Sequence, residues 1–135
     1  MILRLIEPEG LEVKQILLDE CEDEICAKVK GGGKYADELV VLPSGEIIVV
    51  ECAKRPKARD ATQAIETFRK LVKAGKKVVA IVVAGEEGFD KRDESIIAAA
   101  LKAVYSKYRV ETYLRRSGQI LHLKKLSVKF EVRCQ

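Results

Sequence analysis

The chain has 135 residues, of which 47% are hydrophobic and 34% charged, with a formal net charge of +4. That length suits one domain around one core, and no apolar run approaches the roughly 20 residues of a membrane span. One histidine, His122, and four cysteines, Cys21, Cys26, Cys52 and Cys134, with no C-x-x-C among them, argue against a structural zinc site. Buried thiols are the default expectation for the cysteines. A Cys21–Cys26 disulfide is the alternative, although disulfides inside cells are uncommon outside hyperthermophiles. The chain lacks Asn and is rich in Lys and Glu, a balance that fits a thermophilic source. Glu7 and Glu9 follow the first apolar residues at once, which is not the layout of a signal peptide, so the expected location is the cytoplasm.

Residues 2–6 read as a short strand or extended arm, broken by Pro8-Glu9-Gly10. Over residues 11–20, Leu11, Val13, Ile16, Leu17 and Leu18 give the period of an amphipathic helix. Residues 24–30 alternate, with Ile25, Ala27 and Val29 on one face and Cys26, Lys28 and Lys30 on the other, which predicts a half-buried strand. Gly31-Gly32-Gly33 ends it as a turn.

Two strands are expected next. Residues 39–42 and 47–50 are apolar runs joined by Pro43-Ser44-Gly45. Both are apolar on both faces, which places them at the centre of a sheet under helices. Pro56 forbids a continuing inner strand. A helix over residues 61–74 carries the stripe Ala61, Ile65, Phe68, Leu71 and Val72 and stops at Gly75. Residues 76–84 form a further central strand, Gly85-Glu86-Glu87-Gly88 a loop, and a helix starts at Asp93 or Ser95 and runs to Tyr108. Residues 109–114, 119–123 and 128–132 read as strands, with a turn at Ser117-Gly118 between the first two.

The hairpin over residues 35–54 carries the chemistry. Asp37 opens its first strand and Glu51 closes its second. In an antiparallel pair, the start of one strand lies beside the end of its partner. The two carboxylates should meet, and two carboxylates in contact repel unless a cation or a proton lies between them.

Element order and acids together resemble the core of the PD-(D/E)XK nuclease superfamily over about residues 11–84. In that family an Asp begins the second core strand and a D/E-x-K tripeptide lies on the third. Here Asp37 takes the place of the Asp, with Ala36 where a Pro often stands, and Glu51 takes the place of the second acid. The resemblance implies an α/β fold with a restriction-endonuclease-like three-layer core of order α-β-β-β-α-β. Its central mixed sheet would be flanked by helices, with a helix and C-terminal strands appended over about residues 93–133. It implies a metal-dependent endonuclease acting on DNA, with Mg2+ or Mn2+ held by Asp37, Glu51 and the main-chain carbonyl of Cys52.

One position departs from the pattern. The family's Lys belongs at position 53, where this chain has Ala53, and Lys54 points to the other face of a regular strand. Three readings stand: a β-bulge at Cys52-Ala53 turns Lys54 inward, a distant base such as Lys57 or Lys70 substitutes, or the site has lost its Lys and its activity. Glu20 is a candidate third acid. Gln63 resembles a Gln of some branches, or is an exposed helix residue.

Basic residues gather near the acids in sequence: Lys28, Lys30 and Lys34 before them, and Lys54, Arg55, Lys57 and Arg59 after them. They are expected to bind DNA phosphates without strong sequence preference. Arg115, Arg116, Lys124 and Lys125 flank a C-terminal hairpin as a second cluster. Cutting both strands of a duplex needs two sites, which makes a homodimer the expected assembly. The competing expectations are an inactive nuclease-like module that binds nucleic acid or protein, and an α/β adaptor with no nucleic-acid role.

Overall fold

The computed structural model describes residues 2–7, 13–31, 33–123 and 126–134. Strand β1 spans Ile2–Glu7, β2 Lys14–Leu17, β3 Glu38–Val41, β4 Ile47–Ala53, β5 Val78–Gly85, β6 Glu111–Arg116, β7 Ile120–Leu123 and β8 Val128–Arg133. Helix α1 spans Glu24–Lys30, α2 Ala58–Lys73 and α3 Lys91–Tyr108.

A five-stranded sheet runs β2-β3-β4-β5-β6. The first three strands are antiparallel neighbours, and β5 and β6 are parallel to β4. The hairpin sits at its middle as its double-sided apolar runs require. Leu39, Ile47 and Val49 face a core shared with α1, α2 and α3, while Val40, Ile48 and Val50 face a second core. Each buried aliphatic side chain of this kind contributes about 1.5–3 kcal/mol.

The second core corrects the expected layering. Helices cover only one face of the central sheet. The other face is covered by a three-stranded antiparallel sheet of order β1-β8-β7, which packs Leu121, Leu123, Phe130 and Val132 onto it. The C-terminal hairpin is formed by β7 and β8, which pair antiparallel, while β6 belongs to the other sheet. The chain changes sheets at Ser117-Gly118, where Gly118 takes φ 94°, a conformation open to glycine.

Two further expectations are overturned. The helix expected over residues 11–20 is instead β2 followed by a 3-10 turn at Leu18–Glu20, with residues 11 and 12 outside the described part. Ile16 and Leu18 are buried while Lys14, Gln15 and Leu17 are exposed, so pairing with β3 imposes a period of two. The strand expected over residues 24–30 is helix α1, which buries Cys26 and Val29, three residues apart as one helix face demands. Cys26 is therefore in the core and not on an outer basic face.

The cysteines are not free thiols. Cys21 bonds Cys26 and Cys52 bonds Cys134. No helix among the described residues is long and apolar enough to cross a membrane.

Candidate functional site

Asp37 stands just before β3 and is held on three sides. Its carbonyl accepts the Leu18 amide at 3.0 Å. The amide of the preceding Ala36 donates to Thr67 Oγ1 of α2 at 2.8 Å. Its own Oδ2 accepts the Cys52 amide at 2.7 Å. The register pairs Glu38 with Val50, so the next step along the ladder sets Asp37 beside Glu51, on the helix-facing side.

Glu51 is 2% exposed. Its carboxyl is pushed up to about 10 from the ordinary 4.5, first by burial, then by the hydrogen bond and charge of Asp37, with Asp60 of α2 adding repulsion. Burial beside a second acid thus favours the protonated form of Glu51. Its Oε2 has no hydrogen-bond partner, which leaves a buried oxygen with unused acceptor capacity.

Asp37 lines a cleft of about 340 Å³ whose lining also includes Asp19, Glu20, Cys52, Lys54 and Glu86; the buried Glu51 lies behind it. Lys54 is the only cation on that lining. Its ammonium lies 4.0 Å from Glu87 Oε2 with the side chain 76% exposed, a pairing too solvated to hold it. The β4–β5 register runs unbroken from Ile48↔Ala80 to Ala53↔Gly85, so no bulge turns Lys54 inward. It reaches the cleft from beyond the end of β4. The substitutes named from sequence are engaged elsewhere: Lys57 Nζ pairs with Asp90 and Asp93, each at 2.9 Å, and Lys70 Nζ donates to the Val29 carbonyl at 3.0 Å. Gln63 lines a neighbouring groove instead of the cleft.

Sequence reasoning considered Glu20 but missed Asp19 and Glu86. Asp19 accepts the Tyr35 hydroxyl at 2.8 Å. Glu86 rides on the loop after β5, whose Glu86 and Glu87 amides donate to the Ala53 and Lys54 carbonyls, both at 2.9 Å. A Cβ on Gly85 would lie 2.3 Å from the Gly88 carbonyl oxygen, so this loop can close only on glycine. The signal was the parallel pairing of β4 and β5, which gathers the loops after both strands at one end of the sheet.

Asp37, Glu51 and the Cys52 carbonyl are hard oxygen donors, the chemistry that Mg2+ and Mn2+ take with water completing the shell. The Cys52 sulfur is bonded to Cys134, so only its main chain can serve. Among the described residues no group of three His, Cys, Asp or Glu side chains converges as a metal cage.

The basic residues divide. Arg55 pairs with Asp90 at 2.8 Å and Glu87 at 3.8 Å, and with Lys57 it fastens the start of β4's exit to the loop before α3. Asp90 is held below its ordinary range by Lys57 and then Arg55. Lys30 donates to the Cys21 carbonyl at 3.3 Å. Lys28 is exposed on α1. Lys34 and Arg59 line one groove with Gln63 and Lys70. In the second cluster, Arg115 donates to the Leu114 and Ile120 carbonyls, and Lys124 and Lys125 lie outside the described residues.

Compared with known proteins, the chain matches no protein-family model, no curated protein and no solved structure.

Proposed function

We propose that this chain is a metal-dependent nuclease-like domain of the PD-(D/E)XK, restriction-endonuclease-like type, acting on DNA phosphodiesters. The observation that carries the reading is the pair of carboxyls, Asp37 and Glu51, set side by side at one end of the hairpin with Asp37 lining an open cleft. The strand pairing supports it, with β2, β3 and β4 antiparallel and α2 leading to a β5 parallel to β4, although α1 follows β2 where the family's order α-β-β-β-α-β puts a helix before the first strand.

Bound Mg2+ or Mn2+ would supply a Lewis acid and an acidified water at the phosphorus. The chain's own residues do the rest. Asp37, aimed by the Cys52 amide, and Glu51, once it has given up its proton, offer the oxygens that hold the cation. Lys54 brings positive charge to the cleft mouth, where it neutralises developing charge or orients the attacking water. A homodimer would present one such cleft to each strand of a duplex.

A second reading, an inactive module that binds nucleic acid, is favoured by Ala53, which stands on the Glu51 face of β4 where the family carries Lys. Cleavage of labelled duplex and branched DNA, with and without Mg2+ or Mn2+, decides between them. Metal-dependent cutting that disappears in the Asp37→Ala/Glu51→Ala double variant supports the enzyme. Binding without cutting supports the module, and cutting that survives the double variant contradicts the site.

A further inference from the structure

The basic residues near the acids are not equivalent, and the difference defines a path for a polyanion. Arg55 and Lys57 lie against three carboxylates, those of Glu87, Asp90 and Asp93. A phosphate approaching them would meet a neutralised cluster. Lys34 and Arg59 are exposed, and neither has a carboxylate partner among the described residues. They face each other across a groove of about 380 Å³ between the turn before β3 and the opening turns of α2. The same groove is lined by Lys70, Gln63 and Thr62, and its single carboxylate, Glu66, is engaged by Arg69 at 2.6 Å. Lys70 uses one proton on the Val29 carbonyl and keeps its full charge and further donors.

Residues 34–37 link groove and cleft, because Lys34 lines the first and Asp37 the second. Lys34 lies three residues before Asp37. The intervening Ala36 donates its amide to Thr67 of α2 at 2.8 Å, so the turn that carries Lys34 is fastened to the helix that carries Arg59. Beyond Lys54 at the cleft itself, a strand whose scissile phosphate rests at Asp37 would find in this groove a positive surface not neutralised by carboxylates.

We infer that the groove between the turn before β3 and the start of α2 holds the phosphate backbone of DNA adjoining the cleft, with Lys34 and Arg59 as the phosphate contacts and Gln63 as a neutral donor. Arg55 and Lys57 serve instead to fix the loop before α3. This rests on the nuclease-like reading and adds the route of the substrate to it.

The test is anisotropy of a labelled DNA duplex in EDTA, which prevents cutting, titrated with the full chain over a range of salt. In the Lys34→Ala/Arg59→Ala variant the log–log salt slope should fall by about 1.8, which is two contacts at about 0.9 each, and affinity at low salt should drop about ten-fold or more. The Lys73→Ala/Lys102→Ala variant, which removes the same charge from exposed positions far along α2 and α3, should keep the wild-type slope. Equal slopes for wild type and the groove variant would overturn the inference, as would an equal loss in the Lys73/Lys102 variant, which would mean that only net charge matters. If wild type cuts DNA with metal and the groove variant cuts and binds as well, the path alone is wrong. If wild type binds no DNA at low salt, the path and the nuclease-like reading fall together.

Discussion

Glu38 and Glu51 are both buried carboxyls on the same hairpin, yet they lie on opposite faces of it. Glu51 faces the helices and lies against Asp37, which lines the cleft. Glu38 pairs with Leu17 and Val50 in the ladder and is fully buried, with both oxygens lacking a partner. Burial first of all pushes Glu38 up to about 8. A raised carboxyl alone thus marks neither residue as functional. What separates them is that the acid beside Glu51, Asp37, lines an open cleft, whereas Glu38 lies under the covering sheet.

The largest expected effect tests that separation. Asp37→Ala or Glu51→Ala should abolish metal-dependent DNA cleavage, a loss beyond the roughly 10²–10⁴-fold of a missing general base, because each removes a ligand. Glu38→Gln should cut at the wild-type rate. A Glu38→Gln enzyme as dead as Glu51→Ala would show that the two faces are not distinct.

The disulfides sharpen the contrast at the level of stability. Cys52–Cys134 joins the strand of Glu51 to the end of β8 across 82 residues, and Cys21–Cys26 closes a separation of only 5. By loop entropy the first should contribute about 4–5 kcal/mol and the second about 2. Denaturant unfolding of Cys52→Ser/Cys134→Ser and Cys21→Ser/Cys26→Ser variants measures both, and the reverse order would contradict the assignment of the longer bond as the main staple.

Lys54→Ala should slow cleavage by about 10²-fold or less, since Lys54 sits at the cleft's mouth and not on the Glu51 face. Ala53→Lys should raise the rate if that face lacks its cation. Steady-state rates of the two variants side by side read this directly.

A separate effect is on stability against pH. Each buried acid binds its proton more tightly folded than unfolded. The stabilisation is therefore full below about 4.5 and is lost as pH rises, through about 8 for Glu38 and about 10 for Glu51. Melting curves of Glu38→Gln should lose the part of the fall that ends near 8, and those of Glu51→Gln the part that extends to about 10. Divalent metal should oppose the loss only where Glu51 is intact.

Much of this region was legible in sequence. The hairpin announced itself because both runs are apolar on both faces, and antiparallel geometry alone brought Asp37 to Glu51. The segment before it was not legible. Seven residues such as Glu24–Lys30 satisfy a period of two and a helical period about equally, and packing of Cys26 and Val29 decided for the helix. The covering sheet was hidden because it pairs β1 with β8, from opposite ends of the chain. Asp19 and Glu86 were hidden because both lie on loops placed by distant contacts. The Cys21–Cys26 bond was one of two readings open in sequence, but Cys52–Cys134 was hidden because thiols separated by 82 residues show their proximity only once the sheets have packed.

The most direct test is calorimetric titration of Mn2+ or Mg2+ into wild type and Glu51→Gln at several pH values, in buffers of different ionisation enthalpy. A cation that displaces the Glu51 proton should bind wild type more tightly as pH rises toward about 10, with measurable proton release, and Glu51→Gln should lose both the affinity and the release. Wild-type binding that is absent, or that is independent of pH and unchanged by Glu51→Gln, would contradict the account of Asp37 and Glu51 as a cation site.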